Sequence, residues 1–339
     1  MPPDERPWQD LSTDHQEDRP IMRGYPVPRI GLALGAGVAR GFAHIGVIKA
    51  LRRHGIKPDV ISGTSIGAVV GGCYLAGRLD ELEEWALSLN RRSLFGYLDL
   101  TLRAPGLITG KKFTQALEDH LKGIQIPDLP HPFVAIATDM VTGHEVWLRR
   151  GLLIDAMRAS FALPGIFPPV NLFGHQLIDG ALVNPTPVSA CRALGAKVTI
   201  AVDLNADLIG KARKPGQNYH TVMGFDIFND KDVAPEDQRL FSKFNITKYL
   251  FKREENTPSV FGVMFSSFNI ILDRITRSRL AGDPPDIHIK PLIGHYGLLE
   301  VERAKELIEE GEAAVERILP DIKAAIYTLL PENERPTVT

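Results

Sequence analysis

The sequence predicts an α/β fold with a mostly parallel central sheet and helices on both of its faces. Three observations carry that expectation. Short apolar runs at Ile30-Gly31-Leu32-Ala33-Leu34 and Val60-Ile61-Ser62 are long enough for buried strands and too short for helices. Helical patterns follow each run, at 41–54 and 66–76. Glycines mark the junctions, so the chain reads strand, helix, strand, helix, the rhythm of a sheet covered on both sides.

Order is expected to begin at Arg29. Residues 1–28 are acidic and rich in proline, with Pro2, Pro3, Pro7, Pro20, Pro26 and Pro28, and such composition cannot offset the entropy of ordering. They read as a disordered arm, lacking the basic start and apolar stretch of a signal peptide. In the helix at 41–54, Phe42, Ile45, Ile48 and Leu51 fall near one face and Gly55 stops it. Phe133-Val134-Ala135-Ile136-Ala137 reads as a strand paired with Glu145-Val146-Trp147-Leu148 across the turn at Thr142-Gly143. Residues 152–161 read as a helix ended by Leu163-Pro164-Gly165. Leu177-Ile178 leads into Asp179-Gly180, 197–202 and Ile287-His288-Ile289 are later strands, and 298–319 is helical with a break near Gly311. One catalytic domain over 29–330 is expected, with 205–258 as a variable insertion or lid and 331–339 as a tail.

The 339 residues are 44% hydrophobic, enough for a large core. A net charge of −2 gives nucleic acid no footing. Cys73 and Cys191 are the only cysteines, a usage that fits a reducing, cytoplasmic setting. The most apolar window, 60–77, is interrupted by Ser62, Thr64, Ser65 and glycines, and does not read as a membrane span.

Gly63-Thr64-Ser65-Ile66-Gly67 is a G-x-S-x-G pattern between a strand and a helix. A serine hydroxyl is a weak nucleophile unless it is held exposed beside a base. A sharp strand-to-helix turn holds it, small flanking residues permit the turn, and the helix N-terminus favours a developing oxyanion. Gly35-Ala36-Gly37-Val38-Ala39-Arg40-Gly41 ends the first strand and opens the first helix. Its backbone amides suit a dinucleotide pyrophosphate, with Asp59 as ribose-binding acid, or an oxyanion, or merely a tight turn. The spacing G-x-G-x-x-x-G departs from the dinucleotide fingerprint.

Ser65 needs a proton acceptor. Of the histidines, His44 reads as a packed or surface residue of the first helix, His288 as a structural strand residue, and His175 and His295 lie in no catalytic pattern. Asp179 ends an apolar run before Gly180, whose backbone freedom suits a carboxylate turned across a cleft. An ordinary aspartate titrates near 3.9 and is a weak base, which partial burial would strengthen.

The loop with Arg40-Gly41, then Gly63-Thr64-Ser65-Ile66-Gly67, then Asp179-Gly180-Ala181 resembles the patatin-like phospholipases. The likeness is closest to bacterial members related to the catalytic part of neuropathy-target-esterase-like enzymes. His44-Ile45-Gly46-Val47 and the stretch from Ala159 to Pro169 are also similar. The resemblance implies a three-layer α/β/α fold and a Ser65–Asp179 dyad without histidine. It further implies an oxyanion hole drawn from Gly35, Ala36, Gly37 and Val38, with Gly37 and Val38 as first choice. No metal or organic cofactor is implied, and the partner is a lipid acyl ester. Family loops often carry glycine where Ala36 and Val38 stand.

A lipid substrate requires an interface. Leu240, Phe241, Phe244 and Phe251 share a helical face with Lys243, Lys248, Lys252 and Arg253 nearby, so 240–253 is a candidate peripheral membrane contact. Two other readings stay open: a Ser-His-Asp esterase of the α/β-hydrolase type and a catalytically silent scaffold of the same fold.

Overall fold

The computed structural model describes residues 29–89, 121–207, 260–297 and 300–334. The N-terminal arm, the candidate membrane contact at 240–253, nearly all of the 205–258 insertion and the end of the tail lie outside the described residues.

The first strands and helices follow the apolar runs. β1 (Ile30–Leu34) leads through a 3-10 turn (Val38–Phe42) into α1 (Ala43–Arg53), and β2 (Val60–Thr64) leads into α2 (Ile66–Leu75) and α3 (Leu79–Ser88). β3 (Phe133–Asp139) and β4 (Glu145–Leu148) pair antiparallel across their turn, as the sequence suggests. α4 (Leu153–Ser160), β5 (Val170–Leu172), β6 (His175–Asp179), α5 (Val188–Ala193) and β7 (Val198–Val202) follow. The described chain closes with α6 (Val260–Gly282), β8 (Ile287–Ile289) and α7 (Ala304–Leu329).

Among the described residues, eight strands form one sheet. β3, β2, β1, β7 and β8 are mutually parallel, whereas β4, β5 and β6 add antiparallel pairs around β3. Alternation of side chains sends the two faces of each strand to different layers. Ile30, Leu32 and Leu34 of β1, with Val198, Ile200 and Val202 of β7, join the larger core shared with α1, α2, α4 and α7. Ala33, Val134, Ile136 and Ala201 face a smaller core closed by Val188 and Cys191 of α5, Leu194 just beyond it and Leu280 of α6. The result is a three-layer α/β/α arrangement.

One expectation needs correction. Gly311 does not interrupt the last helix; a Cβ there would lie 2.0 Å from Ala43 O, so this glycine lets α7 cross α1 at close range. Gly46 does the same from the other side, 1.9 Å from Ile308 O. The irregular residue is Ile318, two before Pro320, whose missing N–H and ring disrupt the preceding turn.

Candidate active site

Two strand ends bring the site together. On β3, Ile136 is registered with both Thr64 of β2 and Trp147 of β4, and Ala137 with both Asp179 of β6 and Val146 of β4. A strand residue has only two lateral neighbours, so β4 occupies one edge of β3 while β2 and β6 share the other. They meet there carboxyl end to carboxyl end. Ser65 follows Thr64 and Asp179 ends β6, so residues 114 apart in sequence become neighbours, with Ser65 Oγ donating to Asp179 Oδ2 at 2.6 Å.

Ser65 is the turn itself. Its φ of 57° is left-handed, an uncommon and costly conformation for a residue with a Cβ. The surrounding glycines make the turn possible by leaving space. A Cβ on Gly63 would lie 2.5 Å from the Ala68 backbone, and one on Gly67 would lie 2.2 Å from Leu34 O. Gly41 has the same role, since a Cβ there would meet Ile66 at 2.2 Å. The Ser65 amide donates to Ser160 Oγ at 2.9 Å, and that hydroxyl donates onward to Ile136 O at 2.6 Å. Ser160 therefore clamps the turn to β3. It lies inside the family-like stretch from Ala159 to Pro169, but its role was not legible from its type.

Asp179 is 1% exposed and Ser65 6%. Burial pushes the Asp179 carboxyl from its ordinary 3.8 up to about 7, against the hydrogen bonds from Ser65 and from the Ala181 amide, which favour the charged form. Ala181 N–H donates to Oδ1 at 2.9 Å, and Thr138 Oγ1 donates to the Asp179 carbonyl at 2.9 Å. Gly180 does not use left-handed angles, contrary to the reasoning from its type. It is needed for room, because a Cβ would lie 2.2 Å from Ile136 O.

The loop after β1 divides its amides. Gly35 N–H donates to Val202 O at 3.0 Å and Ala36 N–H to Pro185 O at 2.9 Å, so both are engaged. Gly37 and Val38 donate to no acceptor among the described residues. Val38 carries a φ of 52°, strained for a β-branched side chain. Of the four loop residues singled out by the sequence, these two are left with amides to offer.

No histidine among the described residues hydrogen-bonds the Ser65 or Asp179 side chain. His44 is fully buried, and its Nε2 donates to Gly35 O at 2.7 Å. Burial holds its pKa down to about 4 against that bond, so it is neutral at pH 7. His175 lies 2.7 Å from Asp139 Oδ2 through Nδ1, and His288 faces Asp203 at 3.4 Å. Arg40 is buried with Nε donating to Tyr296 O at 2.9 Å; burial lowers its pKa to about 10 against the attraction of Glu300 and Asp207. It ties the loop-to-helix junction to the segment before α7. Beside the loop, Val38, Leu163, Ile166, Phe167 and Phe268 pack together, and Phe268 also joins Leu272, Ala36 and Ala181. α6 thus flanks both the loop and the turn after Asp179 with apolar side chains.

Comparison with known proteins adds the following. A family model described as patatin-like phospholipase matches residues 32–192. An NTE family protein of Mycobacterium tuberculosis is 36% identical over 335 residues, which cover 88% of this chain and 93% of that protein. A patatin-like phospholipase domain-containing protein of Caenorhabditis elegans is 39% identical over 186 residues, 52% of this chain and 14% of that larger protein. Lysophospholipase NTE1 of Debaryomyces hansenii is 29% identical over 299 residues, 86% of this chain and 18% of its own length.

Proposed function

The chain belongs to the patatin-like phospholipase family, and on that premise we propose that it is a serine lipid acyl hydrolase working through a Ser65–Asp179 dyad. The observation that carries the reading is the 2.6 Å hydrogen bond between a strained turn serine and a buried aspartate. A carboxylate with a pKa of about 7 is a far better base near neutrality than an ordinary aspartate.

In the proposed reaction Asp179 accepts the Ser65 proton as Oγ attacks the ester carbonyl. The oxyanion rests on the Gly37 and Val38 amides, preset hydrogen-bond donors of the kind that each contribute about 3 kcal/mol in comparable sites. Collapse expels the alcohol or lysolipid, which takes the proton from Asp179. Water then gives its proton to Asp179 and attacks the acyl-Ser65 ester, releasing the fatty acid and restoring the serine. The apolar group around Val38, Leu163 and Phe268 supports a hydrocarbon acyl chain in this site. The Debaryomyces relative is named a lysophospholipase, which supports the same substrate class. Among the described residues no helix is long and apolar enough to cross a membrane. We propose that such a lipid is met at a membrane surface.

A serine-directed fluorophosphonate tests the assignment. It labels the wild type and not Ser65→Ala; labelling that persists in Ser65→Ala removes Ser65 as nucleophile. Fatty-acid release from a panel of phospholipids and lysophospholipids is expected for the wild type and lost in Asp179→Ala. A folded wild type that neither labels nor hydrolyses any member would instead leave a silent scaffold.

A further inference from the structure

We propose that Asn205 and His44 are positioning residues that aim the oxyanion amides, each holding one of two successive carbonyls in the loop after β1. The proposal rests on the oxyanion role given to Gly37 and Val38 above. Asn205 Nδ2 donates to Ala36 O at 3.0 Å, and both groups are buried. A trans peptide is planar, with its N–H pointing opposite to its C=O. The Ala36 carbonyl and the Gly37 N–H belong to one such unit. Fixing the carbonyl on Asn205 therefore fixes the direction of the Gly37 N–H, which points away from Asn205 and meets no acceptor among the described residues.

The preceding unit is held at both ends. Its carbonyl, Gly35 O, takes a hydrogen bond from His44 at 2.7 Å, and its amide, Ala36 N–H, donates to Pro185 O at 2.9 Å. With that plane anchored, the backbone enters the Ala36–Gly37 unit from a set position. A carbonyl only accepts, so His44 must carry its proton on Nε2, leaving Nδ1 bare and without a partner among the described residues. An unpartnered buried nitrogen is a cost, and a purely space-filling role would be better served by an apolar ring. Asn205 is itself anchored, because its own N–H donates to Asp203 Oδ1 at 2.9 Å just beyond β7. Neither residue hydrogen-bonds the Ser65 or Asp179 side chain.

The test compares His44→Phe, which keeps a ring but no donor, with His44→Gln, whose side-chain amide reproduces the donor. Asn205→Leu keeps volume and removes the other donor. Val315→Ala, in the buried face of α7, serves as a control for lost stability. Steady-state hydrolysis below the melting temperature should show kcat reduced roughly tenfold to a hundredfold in Asn205→Leu and His44→Phe, with KM within about twofold. His44→Gln should recover most of the loss, and Val315→Ala should lower Tm without lowering kcat. Equal impairment of His44→Gln and His44→Phe, or wild-type kcat in Asn205→Leu, would overturn the proposal. A readout independent of turnover separates it from failure of the hydrolase reading. In ¹⁵N relaxation the Gly37 amide should be rigid in wild type and looser in Asn205→Leu, and an unchanged order parameter overturns the positioning role even if no ester is cleaved.

Discussion

Ser65 and Ser160 share a 2.9 Å hydrogen bond from the backbone amide of the first to the hydroxyl of the second. The strained turn is therefore fastened by a side chain 95 residues away in sequence, whose hydroxyl in turn donates a hydrogen bond to Ile136 O. The Ser65 amide is engaged there, so the oxyanion of the proposed reaction must find its donors elsewhere.

Replacing Ser160 with alanine leaves a buried donor and a buried acceptor without that partner. Loss of about 1 to 3 kcal/mol of stability is expected, measured by urea unfolding, with a lower kcat as the turn loosens. An unaltered unfolding midpoint together with unaltered kcat would contradict the clamp.

The rate should follow the ionisation of Asp179. Because the base form is the carboxylate and its pKa is raised to about 7, kcat/KM for a non-ionising ester should climb about tenfold per pH unit below that value and level off above it. A profile flat from pH 5 to pH 8 would exclude Asp179 as the base.

The same shift has a sign in stability. The folded pKa of about 7 exceeds the ordinary 3.8, so the folded state binds this proton more tightly. Its contribution is full below about pH 4 and is lost as pH rises through 7, at roughly 1.4 kcal/mol per unit within the window. Asp179→Asn should therefore melt above the wild type at pH 8, with the gap closing by pH 4. A gap that widened on acidification would reverse the assignment.

Phe268 joins the apolar groups on either side of the loop. Its truncation to alanine should shift acyl preference toward longer or bulkier chains, by several-fold in relative kcat/KM across a chain-length series. A uniform loss at every length would place the acyl chain elsewhere.

Much of the fold was legible because β1, β2, β3 and β7 carry short apolar runs and the first two helices stop just before a glycine, Gly55 and Gly77. β5 was not legible: Val170–Leu172 is three residues long, follows two prolines and acquires its strand character only by pairing with β6. Gly311 and Gly180 were misjudged for one reason. A glycine that gives room to another chain segment looks, in sequence, the same as one that relaxes its own backbone. In the candidate site Ser65 and Asp179 stood out by their motifs. Asn205 carried no signal, because a polar residue after a strand declares nothing about the carbonyl it meets 169 positions earlier.

β3 contributes no reacting atom, yet it works as a ruler. Thr64 and Asp179 are read off adjacent marks, Ile136 and Ala137, along one edge. A slip of either neighbour by one pleat repeat, two residues, would part the proposed nucleophile and base by about 7 Å. Fidelity of strand alignment during folding is thus itself a requirement for chemistry, and a misaligned chain would be compact, folded and inert.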